Sequence, residues 1–448
     1  MSVTPSAARR AAIVGSGPAG FYAAEFLLRA GVQVDLYERL PAPFGLVRYG
    51  VAPDHQTIKR VSAAFDRTAK HPTFRFRGNV EIGKALGVEE LRRAYELVIL
   101  AYGASSDRRL GVPGEDLVGS HAATAFVAWY NAHPDHQGDR YDLTTERAVV
   151  VGMGNVALDV ARVLVRRPDE LANTDISDVA LGALRESRVR EVVLLGRRGP
   201  AEAAFDQGEL ADIVALAGVG VSVEGDVSFE VPDGAEAAVR KNVEYLRTLP
   251  REPSGAVERR VRLRFLASPV ELFGEGGELR GMRFEDNELV TADGRTSARG
   301  TGKLHELSTG FVVRSIGYQG LALPGVPFDT KRGVIPNQGG RVLGTDGAPL
   351  AGLYVTGWIK RGPSGLIGTN KACAKETTDA ALADLENQPV PELEPRELDA
   401  LLVARGARVV GYDAWRSIDA VESERGKGKG KIRDKLASVA EMLGVLGS

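Results

Sequence analysis

Short apolar runs that end in glycine or small-residue turns recur along the chain, and segments of helical period lie between them, a pattern of alternating strand and helix. The first such run is 11–14. It enters the loop Gly15-Ser16-Gly17-Pro18-Ala19-Gly20, and a helical pattern follows through Leu28 before a second strand, 32–37, ends at Glu38. Residues 59–70 predict a short amphipathic helix, and 73–80 and 97–102 predict strands, the second running into Tyr102-Gly103-Ala104. At 148–151 the opening pattern returns: a strand, the turn Gly152-Met153-Gly154-Asn155-Val156-Ala157 and an amphipathic helix to Val165. A long insertion, 169–187, delays the next strand to 191–195, which ends in Gly196-Arg197-Arg198. Strands are again predicted at 311–318 and 352–358, and the glycine-rich loop 359–370 opens a helix through about 385. The tail reads as helices around Gly411-Tyr412-Asp413, with the cationic run 427–431 between them predicted as a mobile loop.

Both glycine turns have the chemistry of a dinucleotide site. The first glycine permits a tight turn, the second lets backbone N–H groups approach a pyrophosphate, and the third position lets the helix pack close to the sheet. An anion is then favoured at the helix N-terminus by unpaired N–H groups and the macrodipole. The strand ends differ. Glu38 is placed to accept hydrogen bonds from an unphosphorylated ribose. Arg197 and Arg198 offer guanidinium forks to a 2′-phosphate, which a carboxylate would repel, so NADP is expected there.

Composition adds mainly exclusions. With 448 residues the chain is expected to form roughly two to four domains. A net charge of −2 gives no global reason for a nucleic-acid partner. The single cysteine, Cys373, rules out an intramolecular disulfide, a cysteine-ligated cluster or a redox-active thiol pair. No apolar run approaches the ~20 residues needed to cross a bilayer, and a cytoplasmic location is expected. Between 240 and 264 the balance is locally basic: Arg240, Lys241, Arg247, Arg251, Arg259, Arg260, Arg262 and Arg264 face only Glu244, Glu252 and Glu258. Such a stretch is either a solvated face or a patch that steers an acidic protein partner.

The constellation resembles the adrenodoxin reductase family of ferredoxin–NADP reductases, bacterial members included, which are flavoproteins with two dinucleotide-binding domains. The resemblance spans 11–381 and rests on Phe44-Gly45-Leu46-Val47-Arg48 with Gly50-Val51-Ala52-Pro53-Asp54-His55, then Gly154-Asn155-Val156-Ala157-Leu158-Asp159, Gly196-Arg197-Arg198-Gly199-Pro200 and Gly357-Trp358-Ile359-Lys360-Arg361-Gly362-Pro363. It implies an α/β fold of two Rossmann-like domains, the NADP domain (108–318) inserted within the FAD domain (1–107 and 319–448), with a helical C-terminal tail. By position, Gly15, Ser16, Gly17, Pro18, Ala19, Gly20, Glu38, Leu46 and Val80 would contact FAD, with Trp358, Gly365, Leu366 and Ile367 beside the isoalloxazine. Arg108, Asn155, Val156, Ala157, Leu158, Arg197, Arg198 and Glu209 would contact NADP. His55 and Asp159 match polar positions near the flavin and the partner surface, and Asp212 stands where the family often carries a glutamate that can pair with the histidine. These three are the candidate catalytic residues.

The implied reaction passes a hydride from NADPH to FAD and then single electrons to an acidic iron–sulfur protein, by a monomeric enzyme without a metal centre. A disulfide reductase would need a thiol pair that Cys373 cannot supply. A flavin monooxygenase, a dehydrogenase subunit resembling that of glutamate synthase, and a non-enzymatic NADP(H) sensor remain open alternatives at this point.

Overall fold

The apolar runs become the central strands of two separate sheets. The computed structural model describes residues 9–225, 227–252, 257–292 and 295–447. By its contacts the chain divides into two units: one holds the chain before Ala52, His55–Ser106 and everything from Tyr318 onward, and the other holds Ala52–Asp54 and Asp107–Gly317.

The first unit is built on a seven-stranded sheet in the order Asn337–Gln338, Arg341–Leu343, Pro349–Val355, Leu97–Leu100, Arg10–Val14, Gln33–Tyr37, Phe74–Arg77. From Pro349–Val355 onward the neighbours run parallel; the first two strands are antiparallel additions at one edge. Alternate residues of each strand enter opposite cores. Ala11, Ile13, Val34 and Leu36 pack with Phe21 and Leu27 of the helix Pro18–Arg29 and with Trp415 and Ile418 of the tail, while Ala12, Val14, Val98 and Leu100 pack with Val355 and Ile359. Burial on both faces is why these strands read as unbroken apolar runs.

Two expectations change here. The helix expected at 59–70 is two short helices, Gln56–Lys59 and Ser62–Ala69, because i→i+3 hydrogen bonds from Arg60 and Val61 tighten the backbone between them. The run 427–431 is not a loop between helices. It ends the helix Tyr412–Gly428 and turns back onto it, so close that a Cβ at Gly426 would lie 2.7 Å from Arg433 Cα. The buried carboxylate of Asp434 draws it in, accepting from Arg425 at 2.9 Å and Lys429 at 2.8 Å.

The second unit has a six-stranded sheet, Ser120–Ala122, Phe311–Arg314, Arg147–Val151, Glu191–Leu195, Arg259–Arg264, Val219–Glu224, in which every neighbouring pair is parallel. Helices Asn155–Val165 and Asp178–Glu186 cover one face through Ala157, Leu158, Val160 and Leu184. A three-stranded antiparallel sheet, Ala267–Glu275, Glu278–Ala292 and Arg295–Ser308, covers the other through Leu272, Met282 and Phe284. Its first hairpin turns at Gly276 and Gly277, with φ of +61° and +85°, the two left-handed positions a tight hairpin demands.

Candidate functional site

In the first unit the glycine turn is shaped by what each position excludes. Gly15 has φ +105°, and a Cβ there would lie 2.6 Å from Tyr102 Cα; one at Gly20 would lie 2.0 Å from Gly15 O. Gly17 is different, since a Cβ there would meet nothing within 4 Å. Gly17 also begins the helix Pro18–Arg29 with no side chain capping it. The turn thus leaves an open, N–H-bearing surface at a helix start, and the residues fit an anionic group. Glu38 faces the same loop: Oε2 accepts from Ser16 N at 3.1 Å and Ser16 Oγ at 2.6 Å, and Oε1 from Leu40 N at 3.2 Å. Val80 is buried, its N–H donating to Glu38 O at 2.8 Å.

The stretch after Glu38 lies against this turn. Phe44 N donates to Ser16 O at 3.1 Å, and a Cβ at Gly45 would come 3.1 Å from Gly17 Cα. Leu46 is partly exposed at the start of the short helix Leu46–Tyr49, while Arg48 is buried and paired with Glu422. His55 precedes the helix Gln56–Lys59. In the same unit Trp358 donates from Nε1 to Ser364 O at 3.2 Å and stands 5.4 Å from the Tyr318 ring. Gly365 takes φ +77°, Leu366 is exposed as the N-cap of the helix Ile367–Asp384, and no side chain caps that end.

In the second unit a Cβ at Gly152 would fall 2.1 Å from Ser315 O, whereas one at Gly154, the uncapped start of Asn155–Val165, would meet nothing within 4 Å. Asn155 Oδ1 accepts from Asp206 N at 2.7 Å. Ala157 and Leu158 are fully buried in the core, and Leu158 N donates to Gly154 O at 3.2 Å, so the N–H groups open to a ligand at this helix start are those of Asn155, Val156 and Ala157. Arg197 is exposed and Arg198 half-buried at the end of Glu191–Leu195. Neither guanidinium has a carboxylate partner among the described residues, and nor does that of exposed Arg108. Two uncommitted forks at a strand end beside an open glycine turn fit a phosphate-bearing nucleotide.

Asp159 and Glu209 are brought together by a residue that the sequence pattern passes over, Arg162. It donates to Asp159 Oδ1 at 2.6 Å and to Glu209 Oε2 at 3.2 Å, and it also holds Asp54. Burial works against its charge, and the carboxylates of Asp54 and Asp159 outweigh that, raising its pKa. Its one sequence signal is an acid three positions earlier on an otherwise apolar helix. Asp212 lies exposed on the helix Gln207–Val214.

The basic stretch is parted by its secondary structure. Arg259 donates to Val165 O at 3.0 Å, Arg251 to Gly225 O at 2.7 Å, and Arg262 pairs with Glu191 and Glu224. Arg240, Lys241 and Arg247 lie on the exposed side of the helix Ala237–Thr248, with Glu244 among them, and Arg260 is exposed on the strand Arg259–Arg264.

Residues 9–207 match the pyridine nucleotide-disulphide oxidoreductase family. The chain is 47% identical over 459 residues to a probable ferredoxin/ferredoxin–NADP reductase of Mycobacterium bovis, covering 98% of this chain and 77% of that one. It is 42% identical to the mitochondrial NADPH:adrenodoxin oxidoreductase of Salvelinus fontinalis, over 99% of this chain and 92% of that one. The solved structure of Mycobacterium tuberculosis FprA in complex with NADPH superposes with a TM-score of 0.93 at 44% identity, covering 98% of this chain and all of that one.

Proposed function

The chain belongs to the adrenodoxin reductase family of NADPH–ferredoxin reductases, and on that premise we propose that the first glycine turn with Glu38 holds FAD and the second with Arg197 and Arg198 holds NADPH. When bound, the two cofactors supply the redox chemistry, hydride transfer from nicotinamide to flavin followed by release of single electrons to an iron–sulfur protein. The protein's share is binding, orientation and charge.

The observation that carries this division is the contrast between the strand ends. Glu38 presents a carboxylate turned toward its loop, suited to ribose hydroxyls. Arg197 and Arg198 present donors that no acid among the described residues occupies. Gly17, Ala19 and Gly20 at the start of one helix, where Pro18 has no N–H to give, and Asn155, Val156 and Ala157 at the start of the other, where Leu158 N already donates to Gly154 O at 3.2 Å, offer the N–H groups for each pyrophosphate. Trp358 and Gly365 to Ile367 form the turn assigned to the flavin ring, held by the Trp358–Ser364 and Arg361–Ser364 hydrogen bonds of 3.2 and 2.9 Å. His55, Asp159 and Asp212 are the polar groups assigned to the reacting region.

For the electron acceptor, the exposed side of Ala237–Thr248 with Arg240, Lys241 and Arg247 is the docking surface we assign to an acidic iron–sulfur protein. No helix of the described residues is long and apolar enough to cross a membrane; a cytoplasmic monomer belongs to the same reading. The decisive experiment is anaerobic mixing with NADPH or NADH, followed by ferredoxin-dependent cytochrome c reduction. Rapid bleaching of a bound flavin by NADPH and slow bleaching by NADH is the expected result. A protein that binds no flavin, or equal rates with both nucleotides, overturns the assignment.

A further inference from the structure

Arg162 is buried in the helix Asn155–Val165 with 1% of its side chain exposed, and it meets three carboxylates. Nε and Nη2 take Asp54 Oδ2 and Oδ1 at 2.7 and 3.0 Å, Nη2 also takes Asp159 Oδ1 at 2.6 Å, and Nη1 takes Glu209 Oε2 at 3.2 Å. Arg166, one turn on, adds a second cation to Asp54 at 2.7 Å and reaches Glu170 at 3.1 Å. Asp54 belongs to a segment of only three residues, Ala52–Asp54, that joins the second unit while the chain on either side joins the first.

The three residues lie in no helix or strand, and the ion pairs of Asp54 are among the contacts that hold them. The fork of Arg162 fixes both oxygens of Asp54 in one plane, which specifies orientation as well as proximity, and a lysine ammonium has no such geometry. The same guanidinium fixes Asp159. His55 is the next residue after Asp54, so wherever Asp54 is held, His55 is constrained by one peptide unit. We propose that Arg162 is a positioning residue of the reductase: one buried guanidinium sets Asp159 directly and His55 through Asp54. This rests on the functional reading above, in which those two groups serve the reacting region.

The test uses the flavin-loaded full chain with Asp54→Asn, Arg162→Lys and the pair. Backbone hydrogen exchange of 51–56, measured without nucleotide, reads the clamp apart from activity. Each single variant should raise exchange there by about tenfold or more while the helix Pro18–Arg29 keeps its protection. Flavin reduction by NADPH should slow by about tenfold or more, since small displacements of reacting groups are costly. The NADP dissociation constant of Asp54→Asn should stay within about threefold, separating positioning from binding; Arg162→Lys is not used for this control, because Arg162 also holds Glu209, which is assigned to NADP. The pair should be no worse than the worse single variant. Wild-type behaviour of Arg162→Lys, multiplying effects in the pair, or protection lost evenly across the first unit would overturn the proposal. If Arg162→Lys does not fold, Asp54→Asn decides alone, and unchanged exchange at 51–56 refutes the clamp. A wild-type flavin that NADPH does not bleach would instead refute the reductase reading, which the exchange measurement does not depend on.

Discussion

Arg48 donates from Nη2 to Glu422 Oε1 at 2.5 Å across 374 positions of sequence, with both side chains buried. The guanidinium also lies 5.0 Å from the rings of Tyr49 and Trp415, and Lys435 Nζ donates to Arg48 O at 3.0 Å. The loop resting on the first glycine turn is therefore held by the C-terminal tail. Glu422→Gln leaves a buried guanidinium without its counter-charge, a loss of about 3–5 kcal/mol. Urea unfolding followed by tryptophan fluorescence should show the lower midpoint, and the purified variant should retain less FAD.

Two neighbouring glycines should fail in opposite ways. Alanine at Gly15 forces a Cβ to within 2.6 Å of Tyr102 Cα at a φ of +105°, and strain of this kind costs on the order of 1–3 kcal/mol before any cofactor is present. Alanine at Gly17 meets no protein atom within 4 Å. Apoprotein melts should therefore separate Gly15→Ala from wild type and leave Gly17→Ala alone, while FAD titration of Gly17→Ala should show the weakened affinity. An unimpaired FAD affinity there would remove the pyrophosphate from this loop.

Arg197 and Arg198 are spared internal salt bridges among the described residues, so removing them should cost little stability. Charge-assisted bonds of this type contribute about 1.5–3 kcal/mol each, and Arg197→Ala with Arg198→Ala should weaken NADPH binding by about a hundredfold or more. NADH binding should change far less. Isothermal titration with both nucleotides measures the split.

His121 packs between the rings of Tyr141 at 4.7 Å and Phe311 at 4.9 Å. Burial lowers its pKa from 6.5 to about 4, the positive charge of Arg314 adds to this, and Asp139 opposes it. Between those two values the unfolded chain takes up a proton that the folded one refuses. Stability is then intact above pH 6.5 and falls as the pH drops toward 4, by on the order of 3 kcal/mol. His121→Phe should flatten that part of the profile in urea titrations at successive pH values. An identical slope in the variant would show that His121 is not the group responsible.

The strand–turn–helix pieces were legible because each is local: an apolar run buried on both faces, a glycine turn and a helical period lie within thirty or so residues of one another. Glu191–Leu195 could be placed despite the insertion before it for the same reason. The three-stranded antiparallel sheet was not legible. Its strands are half exposed, rich in arginine and glutamate, and interrupted by register shifts between Pro269 and Glu271 and between Glu285 and Asn287, which break the alternation. The cation run near the C-terminus reads as solvated until Asp434 is seen beside it. Arg162 is hidden in a similar way. An arginine three positions after an aspartate on a helix looks like a surface pair, and only the fold brings Asp54 and Glu209 to it and takes all of them out of water.

The route of the chain through Ala52–Asp54 also limits how the inserted unit can be exchanged between proteins. A polypeptide of residues 107–317 alone has every strand of the six-stranded sheet, yet it leaves Arg162 buried with one of its counter-charges on a segment that was not carried along. Recombination at the two obvious boundaries would transplant the architecture without its charge balance. Any chimaera that borrows this unit has to bring an acid into register with Arg162 from its new host, or replace the arginine together with its partners. The unit is made of two separate stretches of chain, and its engineering has to carry both.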